Sequence, residues 1–143
     1  MLQCGTHTKT NIHTLEKVNT AAARFIANNY TYTPGSATRL KKQIPLDHLS
    51  LRRKTHRLTL MHKITNNHID INKQEYLHHA DTTSTRNTHI HKYHTYGAST
   101  NAYKHSFFPR TIRDWNILPQ HIIGANTSDT FKKLTLTHLG SRT

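Results

Sequence analysis

SFFPRTIRDWNILP, residues 106–119, holds two Phe, the single Trp of the chain and two Pro within one short block. Thr111 is expected to cap a helix, with Asp114 three positions later completing the pair. Ile112, Trp115 and Leu118 recur at three-residue steps, so they form one apolar stripe that stops at Pro119. Burial is therefore the expectation for Phe107, Phe108 and Trp115, because large aromatics dominate small cores. Stacking on the bases of a single strand is the alternative. With Pro109, Leu118 and Pro119 these residues form a structural signature, and Arg110 and Arg113 are polar positions beside the stripe.

Around this block, residues 102–143 read as a C-terminal helical region. Its last helix starts at Thr127 or Ser128, with Phe131, Leu134 and Leu139 facing inward and Lys132 and Lys133 facing away. Upstream, Ile12, Leu15, Val18, Ala22, Phe25 and Ile26 recur at three- and four-residue steps, which predicts an amphipathic helix from Asn11 to Asn29. Pro34-Gly35 sets a turn, and Ser36 is placed to cap a short helix that carries Leu40 and ends before Pro45. Asp47 is the expected N-cap of a long helix to about Asn66, with Leu49, Leu51, Leu58, Leu60, Met61 and Ile64 on its buried side. Residues 1–10 read as a frayed terminus and residues 11–66 as a helical region with a basic long helix.

Between residues 67 and 101 the periodicity dissolves into Thr, Asn and His with scattered apolar side chains. Such a composition offsets little of the entropy of ordering, so a long, partly disordered loop is expected. The fold class that follows is all-α: a small open domain of three to five helices with a long irregular loop. A chain that is 34% hydrophobic over 143 residues can bury one modest core and not two.

Lys and Arg number 20 against seven Asp and Glu, a net charge of +13 before any of the 14 His is protonated. Such a surplus attracts phosphate backbones through counterion release, without implying sequence preference. The cations are concentrated. Arg39, Lys41, Lys42, Arg52, Arg53, Lys54, Arg57 and Lys63 have Asp47 as the sole intervening acid, so they are expected to stand unpaired and free to meet phosphates. With Arg110 and Arg113 they are the candidate nucleic-acid-binding residues; the alternative is a solvated basic face.

Cys4 is the only cysteine, which excludes an intramolecular disulfide and a cysteine-based zinc knuckle. No apolar run approaches the ~20 residues of a membrane span, and the first residues lack a secretory layout, so cytoplasm or nucleus is the expected compartment. His89, His91 and His94, with His78 and His79 upstream, raise a metal-binding alternative; its spacing is weakly specific and the bland reading is a polar, biased segment. The acids are well separated and no nucleophile or phosphate-cradling motif occurs, so no catalytic residue and no cofactor is expected.

Three blocks in order carry a family likeness: LEKVNTAAARFIANNY (15–30), LRRKTHRLTLMHKI (51–64), and SFFPRTIRDWNILP followed by residues 127–134. They resemble the region near the C-terminus of LINE-type (non-LTR) retrotransposon polyproteins, downstream of the reverse transcriptase. The likeness is weakest from residue 67 to 101. Polymerases of that family hold two metal ions on paired aspartates, and no Asp-Asp pair occurs in this chain. The resemblance therefore implies a non-catalytic tail, left as a short reading frame by a truncated element. It implies RNA or DNA as a non-specific partner and the missing upstream reverse transcriptase domain as another; from the lack of a long apolar run, no membrane partner is expected.

Overall fold

The computed structural model describes residues 9–44, 48–80 and 90–141. The protein is all-α, with eight helices and one isolated bridge as its only β pairing among the described residues. In chain order they are α1 (Lys9–Ile26), α2 (Ser36–Gln43), α3 (Leu49–Thr65), α4 (Lys73–Tyr76), α5 (Asn101–Lys104), α6 (Phe107–Asn116), α7 (Gln120–Ile123) and α8 (Ser128–Gly140). The expected three to five helices correspond to the five longer ones. The single turns α4, α5 and α7 are too short to display a 3.6-residue period, which is why periodicity passes over them. The chain divides between Arg52 and Arg53, inside α3, into two compact units.

In the first unit α1 packs against α2. α1 starts two residues earlier than expected, at Lys9, and ends at Ile26 rather than Asn29. Its buried positions are Asn19 and Ala23, whereas Val18, Phe25 and Ile26 are 62%, 75% and 60% exposed, so the anticipated apolar stripe is not a core face. Ser36 is the first residue of α2 and not its cap: Gly35 takes that place with φ 79°, a left-handed conformation that costs glycine nothing. The Ser36 hydroxyl instead donates to Thr31 O at 2.8 Å. Asp47 lies outside the described residues, and the side chain that meets the start of α3 is Glu16, which accepts from the Leu49 amide at 3.0 Å.

The hydrophobic core lies in the second unit, built from Leu58, Met61 and Ile64 of α3, Ile112 and Trp115 of α6, Leu118, Ile122 and Ile123 around α7, and Phe131 of α8. The stripe of Ile112, Trp115 and Leu118 is buried as its spacing requires. Phe131 sits between two rings, 4.4 Å from His62 and 5.8 Å from Trp115 by centroid. α3 departs from its expected pattern at Leu60, which is 40% exposed, while Thr55 and His62 are buried. Thr111 is not the cap of α6. The helix begins four residues earlier, after Ser106, and the Thr111 hydroxyl donates back to Phe107 O. Pro109 then falls in the first turn, where its missing N–H has no intrahelical acceptor to leave unpaired. α8 begins as expected, with the Thr127 hydroxyl accepting from the Thr130 amide.

The segment after α3 is more ordered than its composition suggests. Leu77 and Tyr93 are buried in the core, and His79 pairs antiparallel with Tyr93. Ala80 N–H donates to Lys92 O and His94 N–H to His78 O. α6 holds both ends of this segment: Tyr76 stacks on Phe108 at 4.6 Å, and the Trp115 indole N–H donates to His91 O at 2.9 Å. Asn116 closes the clasp with two bonds to the Tyr93 backbone. Residues 81–89 lie outside the described residues.

Candidate nucleic-acid interface

In the first unit the cations separate into paired and unpaired. Lys41 donates to Glu16 at 3.0 Å, so it is a structural contact and not a free phosphate ligand. Burial alone pushes the Glu16 carboxyl up, but the Lys41 ammonium, the Leu49 amide and nearby His48 outweigh it and hold the group below its ordinary value. One carboxylate thus ties α1 to α2 and caps α3, satisfying an amide that a helix start leaves open. Arg39, Lys42 and Arg52 are exposed, and among the described residues none has a carboxylate at ion-pair distance.

In the second unit Asp114 gathers two of the candidates. Lys54 reaches its Oδ1 at 2.9 Å and Arg57 its Oδ2, from positions that are less than a third exposed. The expectation that the α3 cations stand unpaired is thereby corrected for Lys54 and Arg57. Asp114 lies 57 residues away from Arg57 in sequence, so local spacing carries no sign of the pair.

What remains on α3 is a different stripe. Arg53, His56, Leu60 and Lys63 recur at steps of three, four and three, which places them on one side of the helix. His56 and Lys63 are exposed and Arg53 is half-buried. The stripe runs about 15 Å along the axis. Among the described residues neither Arg53 nor Lys63 pairs with a carboxylate. On α6, Arg113 donates to Pro109 O at 3.1 Å and Lys104 O at 2.7 Å, so it closes a turn as much as it faces solvent; Arg110 is half-buried. On α8, Lys132 and Lys133 are exposed.

Phe107 and Phe108 pack edge to face at 5.1 Å against the core, and Trp115 is 2% exposed. Phe108 is further stacked on Tyr76, so Trp115 and Phe108 are engaged in packing and not set out for base stacking, and Phe107 is half-buried beside them. His91 and His94 are exposed, and His89 lies outside the described residues. Among the described residues no three His, Cys, Asp or Glu side chains are grouped to hold a metal ion.

No family model, curated protein or solved structure matches the chain. No helix among the described residues is long and apolar enough to cross a membrane.

Proposed function

We propose that this chain is a non-catalytic segment of a LINE-type reverse transcriptase polyprotein, from its C-terminal region, and that it binds RNA or DNA through charge with little sequence preference. The observation that carries the binding is the Arg53, His56 and Lys63 stripe of α3, whose cations have no carboxylate partner among the described residues. Residues 53–143 hold 13 of the 20 Lys and Arg against five of the seven acids, and one of those acids is committed to Lys54 and Arg57. Phosphates are the anions such a surplus recruits, because each neutralised phosphate releases condensed counterions. The family assignment rests on the three sequence blocks.

The exposed apolar side chains of α1 favour a second reading, a structural piece that has lost its packing partner. Val18, Phe25 and Ile26 are more than half exposed, more than a solitary surface residue explains. Cooperative melting with tight polyanion binding supports the first reading, and aggregation or a broad melt supports the second.

Fluorescence titration of labelled single-stranded RNA and duplex DNA across a salt series tests the proposal. Affinity is expected to fall steeply with salt. Arg53→Gln with Lys63→Gln is expected to lower the log–log slope by about two, roughly one for each phosphate that no longer meets a cation. An unchanged affinity and slope in that variant overturns the assignment of the stripe. Arg57 is left intact because its replacement breaks the bond to Asp114.

A further inference from the structure

Within the first unit a groove of about 370 Å³ runs beside α1, lined by His13, Glu16, Lys17, Arg24, Tyr30 and Tyr32 among others. That volume lies in the range of about 300–1,000 Å³ that ligand sites occupy. The chain leaves α1 through Asn28, at φ 46°, and the Thr31 amide donates to the Asn29 side chain, so the turn that carries both tyrosines is held by its own bonds. Tyr30 and Tyr32 are 54% and 76% exposed. The Arg24 guanidinium lies over the Tyr32 ring, 4.3 Å from its centroid.

The polar groups of the groove are incompletely used. Arg24 Nε is buried and has no acceptor among the described residues, and its Nη2 reaches Thr31 O and Ser36 Oγ only at 3.5 Å, the limit of a hydrogen bond. Lys17 and His13 add further donors. The lining carboxylate, Glu16, is already bound to Lys41 and the Leu49 amide, so it does not set an open negative charge against an anion.

We propose that this groove is a single-stranded nucleic-acid subsite, in which Tyr30 and Tyr32 stack on bases while Lys17 and Arg24 meet the adjoining phosphates. It deepens the nucleic-acid reading above and rests on it. Two exposed tyrosines beside the cations Lys17 and Arg24 fit a strand whose bases are unstacked; a duplex hides its base faces and offers only phosphates. Stacking tolerates every base, so the site adds preference for strand state and not for sequence.

The test compares a labelled single-stranded RNA decamer with duplex DNA of equal length, on the full chain and on Tyr30→Ala/Tyr32→Ala and Tyr32→Phe. The double variant is expected to weaken RNA binding on the order of tenfold or more and to leave duplex affinity within about twofold. Tyr32→Phe is expected to bind RNA like the parent, since the ring and not the hydroxyl stacks. A second measurement, ultraviolet cross-linking of a 5-iodouridine decamer mapped by mass spectrometry, is expected to mark Tyr30 or Tyr32. Cross-links confined to other residues, or equal loss of RNA and duplex binding, overturn the subsite. A parent protein that binds neither ligand overturns the charge-based reading itself, a distinct outcome.

Discussion

Asn116 is joined to the backbone of Tyr93 by two hydrogen bonds, its Oδ1 accepting from the Tyr93 amide at 3.0 Å and its Nδ2 donating to the Tyr93 carbonyl at 2.7 Å. A side-chain amide thereby imitates one rung of a β ladder and fixes a polar segment onto α6. Both Tyr93 backbone groups lose water on burial, so removing their partner leaves them unsatisfied. Asn116→Ala is expected to lose about 1–3 kcal/mol of stability. Asn116→Asp is expected to lose at least as much, because it sets an oxygen against the Tyr93 carbonyl. Urea unfolding followed by Trp115 fluorescence reads both, and parental midpoints would show that the clasp contributes nothing.

Asp114 restrains two cations, and that restraint gives opposite effects on folding and on binding. Asp114→Asn keeps the shape of the side chain but removes the charge that Lys54 and Arg57 bind. Stability is expected to fall by about 1.5–3 kcal/mol, the range for hydrogen bonds to charged groups. Affinity for RNA is expected to rise and its salt dependence to steepen, because two more cations become available to phosphates. Denaturant midpoints and the salt-series titration check the two halves. A variant that loses stability with no gain in affinity would place Lys54 and Arg57 away from the bound strand.

The elements legible in the sequence are those that local chemistry decides. The Ile112, Trp115 and Leu118 stripe and the start of the last helix at Thr127 or Ser128 follow from local spacing, and the structure places both as read. What escaped is long-range. Asp114 has the offset of a capping acid, yet its partners come from α3. The burial of Leu77 and Tyr93 is fixed by Asn116 and Trp115, so residues that look like loop become core. α1 shows the reverse error: its apolar period is sound, but a period says only that side chains share a face, not that another element covers it. Among the candidate cations, charge density was visible, while the division into restrained and free members depended on where Glu16 and Asp114 lie in space.

Glu16 gives the first unit an acid-sensitive joint. Its folded pKa lies below the ordinary value of 4.5, so the ionised form stabilises the fold above that value, and the stabilisation is lost as pH falls through the folded pKa. Glu16→Ala also removes the acceptor of the Leu49 amide, which by comparison with other helix caps costs about 0.5–2 kcal/mol. Amide hydrogen exchange at neutral pH is expected to show faster exchange in the first turn of α3 in this variant. Unchanged protection there would mean that another group satisfies the amide.

His62 makes the second unit sensitive to pH in a higher window. The ring is 1% exposed and stacks on Phe131; its Nε2 bonds Ala125 O at 3.0 Å, and because a carbonyl can only accept, Nε2 carries the proton. Nδ1 is buried without a partner among the described residues, so a second proton there has no acceptor. Burial is the largest cause that holds the folded pKa below the ordinary 6.5, partly opposed by the Ala125 carbonyl and reinforced by nearby His68. As pH drops below about 6.5 the unfolded chain takes up a proton that the folded chain refuses, so stability is full above that value and declines beneath it. His62→Gln keeps a donor for Ala125 O and does not titrate. Urea midpoints from pH 7.5 to 5 are expected to fall more steeply for the parent than for this variant, by at most about 1.4 kcal/mol per pH unit. The other histidines are common to both proteins, so the difference isolates position 62. Parallel pH profiles would mean that the buried ring accepts its second proton without penalty, and the stacked, neutral His62 would then not be the acid-labile point of the core.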